Sequence, residues 1–124
     1  MVKAKIKPPR PNEIRFLSAE KTLDITFDNG CHFAYPAELL RVESPSAEVQ
    51  GHGPDQKTIV AGRRHVNILK IEPVGHYAIQ LIFDDLHDTG IYSWAYLYEL
   101  GQNMETRWNA YLTALEINRL KRDP

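Results

Sequence analysis

The side chains in this chain best suited to bind a metal or move a proton are five histidines, a lone cysteine and a short acidic run. Their spacing limits that chemistry. His32, His52, His65, His76 and His87 include no pair three or four residues apart, so no helix face carries two of them, and no zinc-finger or metalloprotease pattern occurs. His65 follows Arg63-Arg64, whose charge disfavours a cation, and His32 alternates onto the polar side of its strand. Cys31 stands alone, which excludes an intrachain disulfide and a thiolate cluster. Asp84, Asp85 and Asp88 lack the ligand spacing and the glycine of a calcium loop and read as a solvated acidic turn.

Nucleophilic and phosphate chemistry fare no better. Ser44 and Ser46 would need a positioned base, and the sequence identifies none; no Gly-x-Ser-x-Gly elbow surrounds them, and Pro45 between them favours extended backbone. Gly51-His52-Gly53-Pro54 and Gly62-Arg63-Arg64 have residue types that meet phosphates, but no P-loop or dinucleotide fingerprint accompanies them. The expectation is a chain without catalytic residues.

The elements that must position these residues follow from patterning. A length of 124 residues suits one domain, and 43% hydrophobic with 25% charged residues is an ordinary globular balance. Lys plus Arg number 15 against 16 Asp plus Glu, so no whole-chain field draws nucleic acid or an anionic membrane. No apolar run has signal-peptide or membrane-spanning length, and a reducing, cytoplasmic setting is expected.

Residues 1–12 carry Lys3, Lys5, Lys7 and Arg10 among three prolines and predict a flexible basic arm; 13–124 predict a single domain. Ile14–Leu17 reads as a strand, and Leu23, Ile25 and Phe27 alternate with polar residues. A two-residue Asn29-Gly30 loop would put the next apolar set on the opposite face. A three-residue loop pairs Phe27 with Cys31, Ile25 with Phe33 and Leu23 with Tyr35, and predicts Gly30 in the left-handed region. Pro36 should start a short helical turn to Leu40, and Val42–Gly62 reads as a long loop.

Val66–Ile71 predicts a strand, Pro73-Val74-Gly75 a bend, and Tyr77, Ile79, Leu81 and Phe83 an alternating core face. Gly90–Tyr92 returns as a short strand, and Ser93 caps a helix that Gly101 should end. Asn103 should cap a C-terminal helical extension from about residue 103, with Trp108, Tyr111, Leu112 and Leu115 at helical spacing and Arg119-Leu120-Lys121-Arg122 at its end. Tyr96 falls on the side away from Trp94 and Leu97, open to a partner. No internal repeat emerges. The fold class is α+β: an antiparallel sheet of hairpins packed against C-terminal helices.

Leu40-Arg41 before Ser44-Pro45-Ser46-Ala47, Pro73-Val74-Gly75 with Tyr77-Ala78, and His87-Asp88-Thr89-Gly90-Ile91-Tyr92-Ser93-Trp94 with Leu97 together resemble the gamma-butyrobetaine hydroxylase-like N-terminal domain, from about Pro11 to Leu100. The resemblance implies an accessory domain. It is found ahead of the catalytic part of iron- and 2-oxoglutarate-dependent carnitine-pathway hydroxylases, joined to P-loop iron–sulfur carriers, and alone in bacteria. For the hydroxylase members it also implies a structural zinc held by Cys-x-Cys-x-x-Cys and a later histidine. By position those ligands are Ser44, Ser46, Val49 and His87, of which only His87 is a ligand type, so loss of the zinc is expected and no cofactor is predicted. No catalytic jelly roll follows residue 124, so the hydroxylase iron site is not expected either. Leu86 stands where the family usually has glycine, so the turn presenting His87 should differ.

The function expected is that of a non-catalytic binding or adaptor domain. Its contact face would comprise Glu43, Ser44, Ser46, Glu48, His52, His87 and Asp88, in the loops that the resemblance brings together. The partner would be a protein, by resemblance from an iron–sulfur or oxidoreductase system, and neither nucleic acid nor membrane. The alternative is an iron-binding protein using His87, His52, Glu43 or Glu48.

Overall fold

Alternating apolar residues pair as an antiparallel meander at the start of the computed structural model, which describes residues 8–124. Strands β1 (Pro11–Leu17), β2 (Thr22–Phe27) and β3 (His32–Pro36) lie in that order. Leu23 pairs with Tyr35 and Ile25 with Phe33, the expected register. The Phe27 N–H donates to Cys31 (2.8 Å), the Gly30 N–H to Phe27 (3.0 Å), and Gly30 has φ +89°, so the three-residue loop forms as read. One face then holds Leu23, Ile25, Phe27 and Tyr35, all fully buried. The expected arm falls mostly outside the described residues, but Pro11 and Asn12 belong to β1 rather than to the arm.

Helix α1 (Ala37–Val42) follows with every residue buried, and Pro36 is its N-cap, not its first residue. The segment read as a loop contains α2 (Ala47–Gln50), capped by the Ser46 hydroxyl, which accepts from the Glu48 N–H at 3.2 Å, and a 3-10 turn at Pro54–Gln56. The second meander is β4 (Ile68–Val74), β5 (Ala78–Phe83) and β6 (Gly90–Ser93). Pro73 sits inside β4 opposite Ile79, not in a bend; β4 is an edge strand, where a missing N–H faces no partner. The bend begins at Gly75 instead, and Tyr77 is exposed on it rather than facing the core.

The second meander is a structural copy of the first, which corrects the reading that the chain has no repeat. Both shift register at the same place, between Pro11 and Glu13 and between Ile68 and Lys70. The Arg10 N–H donates to the Asp28 carboxylate (3.3 Å) and the Asn67 N–H to that of Asp84 (3.0 Å), with return bonds from Asp28 to Arg10 (2.8 Å) and Asp84 to Asn67 (2.9 Å). The Leu86 N–H donates to Phe83 and the Phe83 N–H to His87, both at 3.0 Å, repeating the Phe27–Cys31 loop. Each following helix then begins with its N–H on a turn carbonyl, Ala37 on Lys21 (2.8 Å) and Trp94 on Tyr77 (2.9 Å).

The two halves meet reciprocally. The Tyr35 hydroxyl donates to the Leu97 carbonyl at 2.5 Å, and the Tyr92 hydroxyl to the Leu40 carbonyl. Phe33 lies against Gly101, and Ser44 against Gly90, so tightly that a Cβ on either glycine would overlap its neighbour. Contacts in which each half gives the other what it receives are those of a twofold axis. Few side chains keep this relation: the Phe-Asp pair opening each loop and the two tyrosines are the clearest.

Helix α3 (Trp94–Gln102) is capped by Ser93 as expected, its hydroxyl accepting from the Tyr96 N–H at 3.0 Å. Gly101 lies within α3 and does not end it; its role is the close approach of Phe33. Asn103 precedes α4 (Met104–Ile117) without capping it, because its amide donates back to Glu99 at 2.9 Å. Tyr111 and Leu115 bury against Val42, Val49 and Val60, whereas Leu112, expected in the core, is exposed. The helix ends with Arg119 at φ +54°, the Leu120 N–H on Leu115 (2.8 Å) and the Arg119 N–H on Glu116 (3.1 Å). That reversal returns Arg122 to the buried Glu38 through two bonds of 2.9 and 2.7 Å. Among the described residues the fold is thus α+β, with two three-stranded antiparallel sheets where one was expected, and no helix is long and apolar enough to cross a membrane.

Candidate functional site

Three pieces of backbone converge on one corner. Helix α1 delivers Arg41 and leads into Ser44; α2 carries Ser46 and Glu48 at its start; the β5–β6 turn supplies Asp85, His87 and Thr89. The turn works because Leu86 adopts φ +71°, which folds the chain back so that His87 points inward. Leu86 thus takes the left-handed conformation that a glycine would supply, and its hydrogen bonds match those of the glycine turn at Gly30.

The corner is a line of hydrogen bonds. Ser44 Oγ lies 2.9 Å from His87 Nε2, and His87 Nδ1 lies 3.1 Å from Glu48 Oε2. A carboxylate can only accept, so Nδ1 carries the proton and Nε2 accepts from the serine hydroxyl. Ser44 Oγ accepts in turn from the Ser46 N–H (3.3 Å), and the Ser46 hydroxyl meets that of Thr89 at 2.6 Å. Gln50 Nε2 covers the Ser44 carbonyl at 2.8 Å. Below them Asp85 accepts from the His87 N–H (3.1 Å), Arg41 Nε (2.7 Å) and Arg63 Nε (2.6 Å).

Charge follows from these contacts. Burial and the nearby Arg41 charge lower the His87 pKa against the opposing pull of Glu48 and Asp85, so the imidazole is neutral. Burial would raise the Asp85 pKa, but hydrogen bonds from Arg41, His87 and Arg63 prevail and lower it.

A serine, a neutral histidine and a carboxylate in this order have the connectivity of a nucleophilic triad, and His87 is the base that the sequence did not identify. Access decides against that use. Ser44 is 0% and His87 6% exposed, and Gly90 is so close that a Cβ there would stand 2.6 Å from Ser44 Oγ. A hydroxyl sealed in this way serves the interior.

The family's zinc is tested by the same distances. Donors around a tetrahedral zinc are held roughly 3.3–3.7 Å apart. Here Ser44 and His87 bond directly at 2.9 Å, Ser46 is spent on Thr89, and the buried Val49 has nothing to donate. The residues present do not fit the ion. Among the described residues no group of three or more His, Cys, Asp or Glu is placed to hold a metal.

Of the residues expected at a contact face, Glu43, Ser44, Ser46 and His87 are buried and position the corner, while Glu48, His52 and Asp88 are exposed. Glu43 pairs with Lys57 at 2.7 Å and Arg107 at 3.4 Å. Tyr96 is half-buried and not open to a partner: its hydroxyl donates to the Glu43 carbonyl, and burial with the Glu43 charge pushes its pKa up to about 12. His52 is not among the hydrogen-bond partners of His87; its N–H bonds Gln56 at 3.1 Å. Arg63 is held by Asp85 and Arg64 by Asp123, so neither stands ready for a phosphate. Sequence reasoning missed Arg41, Asp85 and Thr89. Arg41 had a signal, a guanidinium inside the apolar run Leu39-Leu40-Arg41-Val42; Thr89 had none.

No curated protein matches this chain. Two protein structures solved by NMR in solution are similar to it, at 42% and 43% identity, covering 95% and 100% of this chain and 93% and 92% of theirs, each with a TM-score of 0.82. A crystal structure of a protein of unknown function from Acidithiobacillus ferrooxidans, of the DUF971 family, is 39% identical over 74% of this chain and 92% of its own, with a TM-score of 0.63. The family described as Gamma-butyrobetaine hydroxylase-like, N-terminal matches residues 14–98. With most of the chain matched and its fold shared by these relatives, the chain belongs to the gamma-butyrobetaine hydroxylase-like N-terminal family.

Proposed function

We propose that this chain is a non-catalytic binding domain of cytoplasmic setting that engages a protein partner and does without the metal of its family. One observation carries the reading: the buried corner turns most of its hydrogen-bonding groups on itself, with Ser44 on His87 and His87 on Glu48, and of its buried side-chain polar atoms only Arg41 Nη1 is without a partner among the described residues. Polar groups satisfied in this way rigidify a scaffold and are unavailable for turnover. What remains for recognition is the solvent-facing surface of the same elements, where Glu48, His52 and Asp88 lie. An iron reading is the weaker one, because of its candidate ligands His87, His52, Glu43 and Glu48 just two, His87 and Glu48, stand together, while Glu43 pairs with Lys57 and Arg107.

Affinity capture by the full chain, set beside a variant carrying Glu48→Arg, His52→Ala and Asp88→Arg, tests the proposal. A discrete protein enriched by the native surface and lost with the variant is expected. Equal recovery by both chains, or turnover of a small substrate that His87→Ala abolishes, would overturn it. Elemental analysis of untagged protein should find iron and zinc well below one equivalent.

A further inference from the structure

The β5–β6 hairpin ends in a side chain its backbone does not favour. Leu86 holds φ +71° and is 81% exposed, more than any other large hydrophobic residue among the described residues. The first half of the molecule supplies the control. The Phe27–Cys31 loop makes the same two hydrogen bonds with Gly30 at the left-handed position, so the geometry is met there without a side chain. A leucine at this point adds backbone strain and turns an apolar group to solvent.

The platform beneath the tip is fixed. Asp85 is gripped by Arg41 and Arg63, and His87 by Ser44 and Glu48. The surroundings are acidic: Asp84 and Asp88 flank the tip and are exposed, and the Glu48 side chain, 64% exposed, lies beside His87. With Asp85, these make four carboxylates against the two guanidinium groups of Arg41 and Arg63.

We propose that Leu86 is the apolar anchor of a docking tip, and that the protein segment it receives combines apolar side chains with lysine or arginine. An apolar residue on a firmly held backbone loses little freedom when it packs against the apolar side chains of a segment, and a carboxylate rim selects a basic surround. This rests on reading the chain as a binding domain and names the chemistry of its partner.

The test titrates isotope-labelled full chain with three short peptides: an amphipathic Leu/Lys peptide, its Leu/Glu counterpart and a Ser/Lys peptide with the same charge. The Leu/Lys peptide should shift the amides of residues 84–91, and Leu86→Gly or Asp88→Lys should weaken it by about tenfold or more. Leu86→Gly relieves the turn, so its fold is secure, and a thermal melt of each variant confirms this. Equal binding to Leu86→Gly, or Ser/Lys binding as strong as Leu/Lys, overturns the anchor. Shifts confined to residues 48–57 also overturn it while leaving a binding domain standing. Silence from all three peptides overturns the proposed partner chemistry, whereas the binding-domain reading falls only if capture also fails.

Discussion

Leu86 and His87 are neighbours with opposite energetics. A non-glycine residue at positive φ costs roughly 1–2 kcal/mol, partly offset because glycine gains freedom in the unfolded chain. Leu86→Gly should therefore stabilise the protein by about 0.5–1 kcal/mol in urea unfolding. A loss of stability would mean that the leucine packs within the chain. His87→Ala leaves the buried Ser44 hydroxyl without its acceptor and should cost about 1–3 kcal/mol. Protonation matters too. The folded pKa of His87 lies below its ordinary 6.5, so between the two values the unfolded chain binds the extra proton. Its contribution is complete above pH 6.5 and falls as the pH drops from there towards the lowered folded value. Unfolding free energies measured across that window should fall with acid, and His87→Gln should flatten the slope. Asp85, lowered from 3.8, acts only at more acid pH.

Among the elements, the approaches of α3 to β3 at Gly101 and of β6 to Ser44 at Gly90 leave no room for a Cβ. Gly101 has no need of a left-handed backbone; it is glycine because the Phe33 ring occupies the space of a Cβ. Gly101→Ala should cost about 1–3 kcal/mol, and Phe33→Leu should recover part of it in a double-mutant cycle, since the clash needs both groups. Additive effects would place the strain elsewhere. This level of organisation was partly legible. The alternation of Leu23, Ile25 and Phe27 against Cys31, Phe33 and Tyr35 forced the loop length, because only one register keeps a single apolar face. Gly101 misled, because a glycine near a helix end looks like a stop when its actual reason lies on a strand far away in sequence. Pro73 misled in the same way: its strand is at an edge, and edges are invisible to local pattern. Leu112 has helical spacing but falls on the face that α4 turns to solvent.

At the scale of the molecule, the reciprocal tyrosines join the halves. Tyr35→Phe and Tyr92→Phe should each cost about 1 kcal/mol, with similar values for both, because each removes one donor from a buried carbonyl. Urea unfolding of the two variants measures this; a large asymmetry would count against the twofold relation. The interior cross-link at Ser44–His87 is a direct hydrogen bond, so on the proposed metal-free reading a strong chelator should leave the melting temperature of freshly isolated protein unchanged, and a marked drop would contradict that reading. The resemblance put Ser44 and His87 at one site, but their direct hydrogen bond and the repeat were not readable beforehand. The repeat is carried by backbone hydrogen bonds and register, which tolerate wholesale change of side chains, and the corner joins residues as distant in sequence as the 44 positions between Arg41 and Asp85. The family, by contrast, was legible from spaced motifs alone.

Because Leu40 and Leu97 each receive a hydroxyl from the opposite meander, neither meander is complete by itself. Local opening should therefore be shared: loosening one half exposes the carbonyl its tyrosine was covering in the other. Amide exchange in α1 should accelerate when Tyr92 is altered, and exchange in α3 when Tyr35 is, so that a lesion is read out on the far side of the axis.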